Sequence, residues 1–527
     1  MAVAAPPSLP KYRHFPVVRL AIIILVAAVI IATVLLVIYW PFRESAVIRS
    51  LEEASSSQVT ISRFYESYFP HPGCTAEGVV FRRRLAPAGA PPLISIRWLK
   101  MQGSFWGLFT KHLAWIHADG MSIFIPAQDN ENFRSSSDVT IDELKATNGT
   151  LEFASRDKTK QPSKFTIYEY TLRDLGGFRA AVPFHARLDI PEPPAQITTS
   201  GKFGPWRPGK AGQIPVSGTY NLENGNLDVF QGIAGTLSSA GNFQGTLDRI
   251  SIQGTTDVPN FAVTAGSHHL DLKNDFKALV NARTGDISLE SVESHFWRTT
   301  VFSRGTIARR GPENTRLTEI DLQSQNGRIE DVLGLYISDD KSPMTGVTNM
   351  RAHVTISPPL HPFLRVVKLQ GDFGVDAGKF TKFETQKDVD KLSAEARSEN
   401  DQDPARVVSN LKGHTDLTDG TATFTGLTFA IPGAHARMHG TYNLISERID
   451  LHGTLAMDSS LSHTAHGPKA LLLKFMQPFF KRKRGGSKVP VKITGTYDQP
   501  AFGLDLGGQK ENAASKRLQR AYQKPTK

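Results

Sequence analysis

The chain has 527 residues, a formal net charge of +11 and a single cysteine, Cys74. One cysteine excludes an internal disulfide framework and any metal site built from paired cysteines. Much of the positive excess is local, in Lys481-Arg482-Lys483-Arg484 and in Lys510, Lys516, Arg517, Arg520, Lys524 and Lys527. Such runs are solvated faces or contacts for anionic head groups.

Leu20 to Trp40 is an uncharged stretch interrupted only by Thr33. About 20 apolar residues cross a bilayer core as a helix. Lys11, Arg13 and Arg19 precede the stretch, and Tyr39 and Trp40 close it as an interfacial aromatic pair. The pattern predicts one membrane-spanning segment over 20–40, a cytoplasmic tail over 1–19 and export of the remainder, which makes nucleic acid an unexpected partner. A cleaved signal peptide fits poorly: the stretch is too long, and Trp40-Pro41-Phe42-Arg43 offers no small-x-small cleavage site.

Three β-rich regions are expected next, at 41–200, 201–345 and 346–506, with a disordered basic tail over 507–527. In the first, Val47, Leu51 and Ala54 share helical spacing and predict a helix over Glu44 to Ser57. Leu93, Ile96 and Trp98 belong to one strand. Leu113 to Ile116 and Met121 to Ile125 are read as two, separated by a turn at Asp119-Gly120. Gln128 to Ser137 is polar and loop-like, Val139 to Ile190 alternates apolar with polar residues, and Pro191 to Pro194 breaks that pattern.

Alternation is clearest after Pro215. Met350, Ala352, Val354 and Ile356 follow it, as do Ile449, Leu451, Gly453, Leu455 and Met457. Period two predicts that Leu427, Phe429, Met438 and Tyr442 face an apolar interior while Arg437, His439 and Asn443 face water. Helical spacing is confined to Glu44–Ser57, Asp331–Ile337, Lys382–Arg397 and Lys469–Gln477. Gly-Thr recurs at Gly149, Gly218, Gly235, Gly245, Gly254, Gly305, Gly420, Gly440, Gly453 and Gly495 at irregular intervals. The expectation is that each glycine ends a strand and the threonine begins the next. Turn signals at this density imply on the order of 30 strands. They form either several sandwiches or one long curled sheet, since strongly twisted sheets rarely exceed roughly 10 strands without curling or splitting.

Catalytic and ligand-binding motifs are missing. Gly204-Pro-Trp-Arg-Pro-Gly209-Lys210 imitates a phosphate loop, but Ala211 replaces the magnesium-binding hydroxyl and two prolines lack backbone N–H groups. His435 and His439 share a strand face, and His463 and His466 are close in sequence, yet no carboxylate joins either pair at metal-ligand spacing. No catalytic residues, cofactor or metal are expected. Near the C-terminal end, Leu471, Leu472, Phe475 and Met476 form an apolar stripe, followed by Phe479, Phe480 and Lys481, Arg482, Lys483 and Arg484. This element either caps the sheet or touches a membrane surface with its aromatics and cations.

Several passages resemble the AsmA-like family of periplasmic bridge-like lipid-transfer proteins. In the N-terminal half these are Leu51-Glu52-Glu53, Val59-Thr60-Ile61, Gly78-Val79, Leu93-Ile94-Ser95-Ile96, Phe105-Trp106-Gly107-Leu108 and Ile123-Phe124-Ile125-Pro126. Gly201-Lys-Phe-Gly-Pro-Trp206 and Ile233-Ala-Gly-Thr-Leu-Ser-Ser239 look like a soil-bacterial branch. Ile431-Pro432-Gly433, Gly440-Thr-Tyr442, Leu451-His-Gly-Thr-Leu455 and Val489-Pro-Val-Lys-Ile-Thr-Gly495 resemble the family's C-terminal region. The resemblance covers residues 20–506 and rests on structural glycines and apolar alternation. It implies a mainly β protein: a transmembrane helix followed by a long, taco-like curled antiparallel sheet with an apolar groove and a few short helices. It further implies an inner-membrane anchor, a periplasmic bulk, phospholipids as ligands, and outer-membrane assembly as the setting. Two other readings stand beside it: an assembly factor that binds outer-membrane proteins along sheet edges, and an envelope hydrolase.

Overall fold

The computed structural model describes residues 40–505, except 85–88, 126–138, 154–162, 177–179, 192, 206–210, 231–232, 264–267, 283, 311–314, 336–340, 358–362, 398, 400–404, 459–486 and 497–498. Leu20, the expected helix Lys469–Gln477, Phe479, Phe480, the Lys481–Arg484 cluster and both tails lie outside the described residues. Among the described residues, no helix is long and apolar enough to cross a membrane.

The protein is mainly β, and the chain divides into two units, Met1–His185 and Ala186–Lys527. In the first unit, α1 (Glu44–Ser55) ends where Ser56 turns left-handed at φ 52°. The side chain of Glu52 reaches past that end to accept the N–H of Val59, 3.0 Å away. Seven strands follow: β1 (Gln58–Thr60), β2 (Arg63–Ser67), β3 (Gly73–Arg82), β4 (Ile94–Gly103), then, after the short helix α2 (Gly107–Thr110), β5 (His112–Ile125), β6 (Thr140–Phe153) and β7 (Ser163–Gly176). Val47 of α1 joins Val59, Ala76, Val79, Leu99 and Met101 in the unit's core.

Two expectations fail in this unit. Asp119-Gly120 is not a turn: β5 runs straight through it, and Gly120 takes φ +65° within the strand. The reason is tertiary. A Cβ at position 120 would sit 2.9 Å from the Cβ of Arg97 on β4, so the glycine marks a close cross-strand approach. The second failure is the direction of β6, which pairs parallel to β5, with Ala118 opposite Ala146 and Ser122 opposite Thr150. Asp119 ties these strands together. It pairs with Arg97 of β4 and accepts Nδ2 of Asn148 at 2.7 Å and Oγ1 of Thr147 at 3.0 Å. The Arg97 guanidinium, helped by those donors, holds the Asp119 carboxyl down at about 2.

β8 (Val182–Pro191) spans the boundary between the units. The second unit begins with β9 (Pro194–Phe203), β10 (Pro215–Asn226), β11 (Ile233–Ala234), β12 (Thr236–Thr246), β13 (Arg249–Val263) and β14 (Leu270–Val280). Next come β15 (Ile287–Phe296), β16 (Thr299–Arg310), β17 (Thr315–Arg328), helix α3 (Ile329–Gly334) and β18 (Met344–Ile356). Helix α4 (Phe363–Val366), β19 (Val367–Phe380) and helix α5 (Phe383–Ala396) follow. The last strands are β20 (Ser409–Thr418), β21 (Thr421–Ile431), β22 (Ala434–Asn443), β23 (Arg448–Met457), β24 (Ser487–Thr496) and β25 (Pro500–Leu504).

From β9 to β25, with only the two-residue β11 set aside, each strand pairs antiparallel with its sequence neighbours. The result is one open meander over β9 to β25, and no pairing closes β9 onto β25 among the described residues. This corrects the expectation of a curled, taco-like sheet. Period-two patterning fixes which face is apolar but carries no information about curvature. The helices α1, α3 and α5 match the expected ones within a few residues, as end effects allow.

The Gly-Thr reading holds at Gly235 and Gly420, where Thr236 and Thr421 begin β12 and β21, and is corrected elsewhere. Gly218, Gly254, Gly305, Gly440 and Gly453 lie inside strands, not between them. Gly218 faces Gly201, and Gly241 faces Gly254. The ring of Tyr220 lies over the last two, since a Cβ at Gly241 would be 2.9 Å from Cε1 of Tyr220 and one at Gly254 would be 2.8 Å from its hydroxyl. Glycine rows give aromatic rings of neighbouring strands room to lie across the sheet.

Candidate functional site

The candidate site is one face of the second unit. Directly paired residues of antiparallel strands project to the same side, so faces follow from register. One row starts at Gly201, Gly218, Phe243, Ile252 and Ala278. It continues through Leu289, Gly305, Ile320, Val354 and Leu369. It ends through Leu417, Ala422, Tyr442, Ile449 and Gly495 on β24. Every strand from β9 to β24 except β11 contributes one residue, and each is apolar or glycine. A companion row runs beside it: Tyr220, Gly241, Gly254, Phe276, Val292, Ser303, Leu322, Ala352, Gly371, Thr415, Phe424, Gly440, Leu451 and Ile493. Neither row contains a charge.

At about 4.8 Å per strand the first row is roughly 65 Å long. Its large side chains in the central strands, Phe243, Ile252, Leu289, Ile320 and Leu369, are half-buried. One cluster of buried side chains in this unit lies under α5, where Val389, Leu392 and Ala396 rest on Ile431, Ala434, Met457, Phe429 and Leu455. Polar groups fix that helix. Oδ1 of Asp390 accepts the Val407 N–H at 2.9 Å and Nε2 of Gln386 at 2.7 Å. Oε1 of Gln386 accepts the Phe380 N–H at 2.8 Å, and Oγ of Ser393 donates to the Pro432 carbonyl at 2.7 Å. The helix covers only this margin of the apolar face.

Register places Leu427 opposite Met438 and Phe429 opposite Ala436, and Tyr442 lies in the long row itself. All four residues share the apolar face. Arg437 and His439 are exposed on the other side, where His439 faces His452, with ring centroids 6.5 Å apart.

The opposite face carries the charges. His353 pairs with Asp321 at 2.8 Å, His414 with Asp372 at 2.7 Å and Lys277 with Glu290 at 3.2 Å. These residues, with Arg304 and Arg351, line a cavity of about 1270 Å³ that crosses β12 to β20. Companion-row positions such as Phe276, Leu322 and Ala352 also border it, and sequence reasoning missed it because alternation within a strand does not say which strands lie side by side. Basic and acidic side chains are interleaved along it, and most have a partner on the next strand. Further along this face His452 sits between Asp505, 3.0 Å from Nδ1, and Asp450, 3.0 Å from Nε2. The Asp505 contact, reinforced by Asp450, raises the His452 pKa above the ordinary histidine value.

Among the described residues no three His, Cys, Asp or Glu side chains converge as a metal site. Cys74 is buried, and burial pushes its thiol up to about 12, which suppresses the reactive thiolate. His463 and His466 lie outside the described residues. Trp40, expected at the membrane interface, is 2% exposed and stacks on Tyr68 with ring centroids 4.7 Å apart.

Comparison with family models, with curated proteins and with solved structures finds no match.

Proposed function

We propose that the protein is a non-enzymatic, membrane-anchored lipid-handling protein of the bacterial envelope. In this reading residues 20–40 hold it in the inner membrane, and the β units lie in the periplasm. The acyl chains of phospholipids lie on the apolar face of the second unit while their head groups stay in water. The observation that supports this most directly is the uninterrupted apolar row from Gly201 to Gly495, with its large central side chains left half-buried. Each methylene transferred from water to such a surface is worth about 0.8 kcal/mol. A single acyl chain therefore gains several kcal/mol at any point along the row. Because the row repeats the same chemistry strand after strand, movement along it has no deep trap. Outer-membrane lipid homeostasis and assembly are the setting this role fits.

The edge-binding alternative has less support. The last described strand, β25, is only 5 residues long and begins with Pro500, and short strands with proline are blunted edges.

The test places a photo-crosslinking amino acid at Ile320, on the apolar row, or at Asp321, on the charged face, in the full-length protein in proteoliposomes. Phospholipid adducts at 320 but not at 321 support the proposal. Equal labelling at both positions, or none at either, overturns it.

A further inference from the structure

The first unit carries a group of exposed aromatic residues on two neighbouring loops. Phe69 is 85% exposed and Trp106 79%, and Phe105 and Tyr68 are also exposed. Isolated exposed apolar side chains are ordinary, but a contiguous group marks a contact surface. Here the two loops that carry the group are tied together. Tyr68 and Phe69 lie between β2 and β3, while Phe105 and Trp106 lie between β4 and α2. The Gly103 N–H donates to the Pro72 carbonyl at 2.8 Å, which sets the loops side by side.

Their position relative to the apolar stretch gives the cluster a partner. Trp40 is the last residue of that stretch, and it packs against the first of these loops. It stacks on Tyr68 at 4.7 Å and meets Phe42 edge-on at 5.8 Å. Phe42 in turn lies against Gly103, where a Cβ would be 3.5 Å from its Cζ. The chain thus enters the folded unit at the aromatic rim itself. Arg43 is exposed next to Phe42 on the entering segment. Aromatic rings with flanking cations are the side chains that partition to the head-group layer of a bilayer.

We propose that this rim, Tyr68, Phe69, Phe105 and Trp106, is a second membrane contact: it rests in the head-group layer from which the apolar stretch emerges. The proposal rests on the reading of residues 20–40 as a membrane anchor. The contact fixes the orientation of the first unit against the bilayer, because one span alone leaves rotation and tilt free. It also brings β1–β4 to the lipid surface, where a phospholipid would leave the bilayer.

Nitroxide labels on cysteines introduced by Phe69→Cys, Trp106→Cys, Val29→Cys and Phe302→Cys, one at a time in the full chain in proteoliposomes, test this. Cys74 stays unlabelled because it is buried and its thiol is held protonated. Phe302, exposed on the charged face of the second unit, is the aqueous reference. Labels at 69 and 106 are expected to collide more with oxygen than with a water-soluble nickel complex, as at 29 and opposite to 302. If 69 and 106 behave like 302 while 29 reads lipid, the rim contact is overturned and the anchor stands. If 29 also reads water, the anchor reading falls and takes the rim contact with it.

Discussion

The hydroxyl of Tyr220 lies 3.1 Å from Oγ of the buried Ser239, and this contact carries the tyrosine ring across Gly241 and Gly254 on the next two strands. Ser239 passes the chain of contacts on by donating to the Thr255 carbonyl at 2.9 Å. The ring thus joins β10, β12 and β13 on the apolar face, and it does so only because two paired positions have no side chain.

Gly254→Val tests that arrangement. A Cβ there would meet the Ala240 carbonyl at 2.4 Å and the Tyr220 hydroxyl at 2.8 Å. Overpacking of this kind costs about 1–3 kcal/mol, read as a lower urea midpoint with unchanged slope. The combination with Tyr220→Ala is expected to cost less than the sum of the two, since the ring is one of the two obstacles.

Asp390 decides whether α5 stays on the sheet. Asp390→Ala leaves the Val407 N–H without its acceptor and removes one of the two acceptors of Gln386 Nε2. A buried donor left unsatisfied costs about 1–3 kcal/mol. Release of the helix uncovers Phe429 and Leu455, so binding of a fluorescent hydrophobic dye is expected to rise. Glu384→Ala, an exposed change on the same helix, is expected to leave both readouts unchanged.

His452 makes the last strands sensitive to pH. Its folded-state pKa is raised by Asp505 and Asp450, so protonated His452 stabilises the fold. That contribution is complete below the ordinary histidine value of 6.5 and is lost as pH rises through the raised one. The stability difference between wild type and His452→Gln is expected to be largest at pH 5.5 and to shrink steadily towards pH 9. A gap that grows with pH would refute the assignment.

Asp119 acts in the opposite direction. Its carboxyl is held at about 2, against an ordinary 3.8, so its contribution is present above pH 4 and disappears as pH falls through 2. The gap between wild type and Asp119→Asn in denaturant midpoint is expected to be constant from pH 7 to pH 5 and to close between pH 4 and pH 2.

The sequence by itself determined the β class, the sidedness of the strands and three of the helices. Leu427, Phe429, Met438 and Tyr442 share a face because alternation is a property of each strand alone. Helix α5 was legible from Lys382 to Arg397 because helical spacing is equally local. Register was not legible. The row from Gly201 to Gly495 exists only because each strand is aligned to its neighbour, and bulges such as that between Lys277 and Ala278 shift the count partway. No single strand encodes such a shift, and one residue of slip would move a whole apolar set to the wet face. Long-range pairing likewise decided that β6 runs parallel to β5, that Gly120 and Gly254 lie inside strands, and that the sheet stays open. Trp40 shows the same limit from the other side. Its sequence position marks the end of an apolar stretch, but only the packing of Tyr68 and Phe42 around it makes it part of a core.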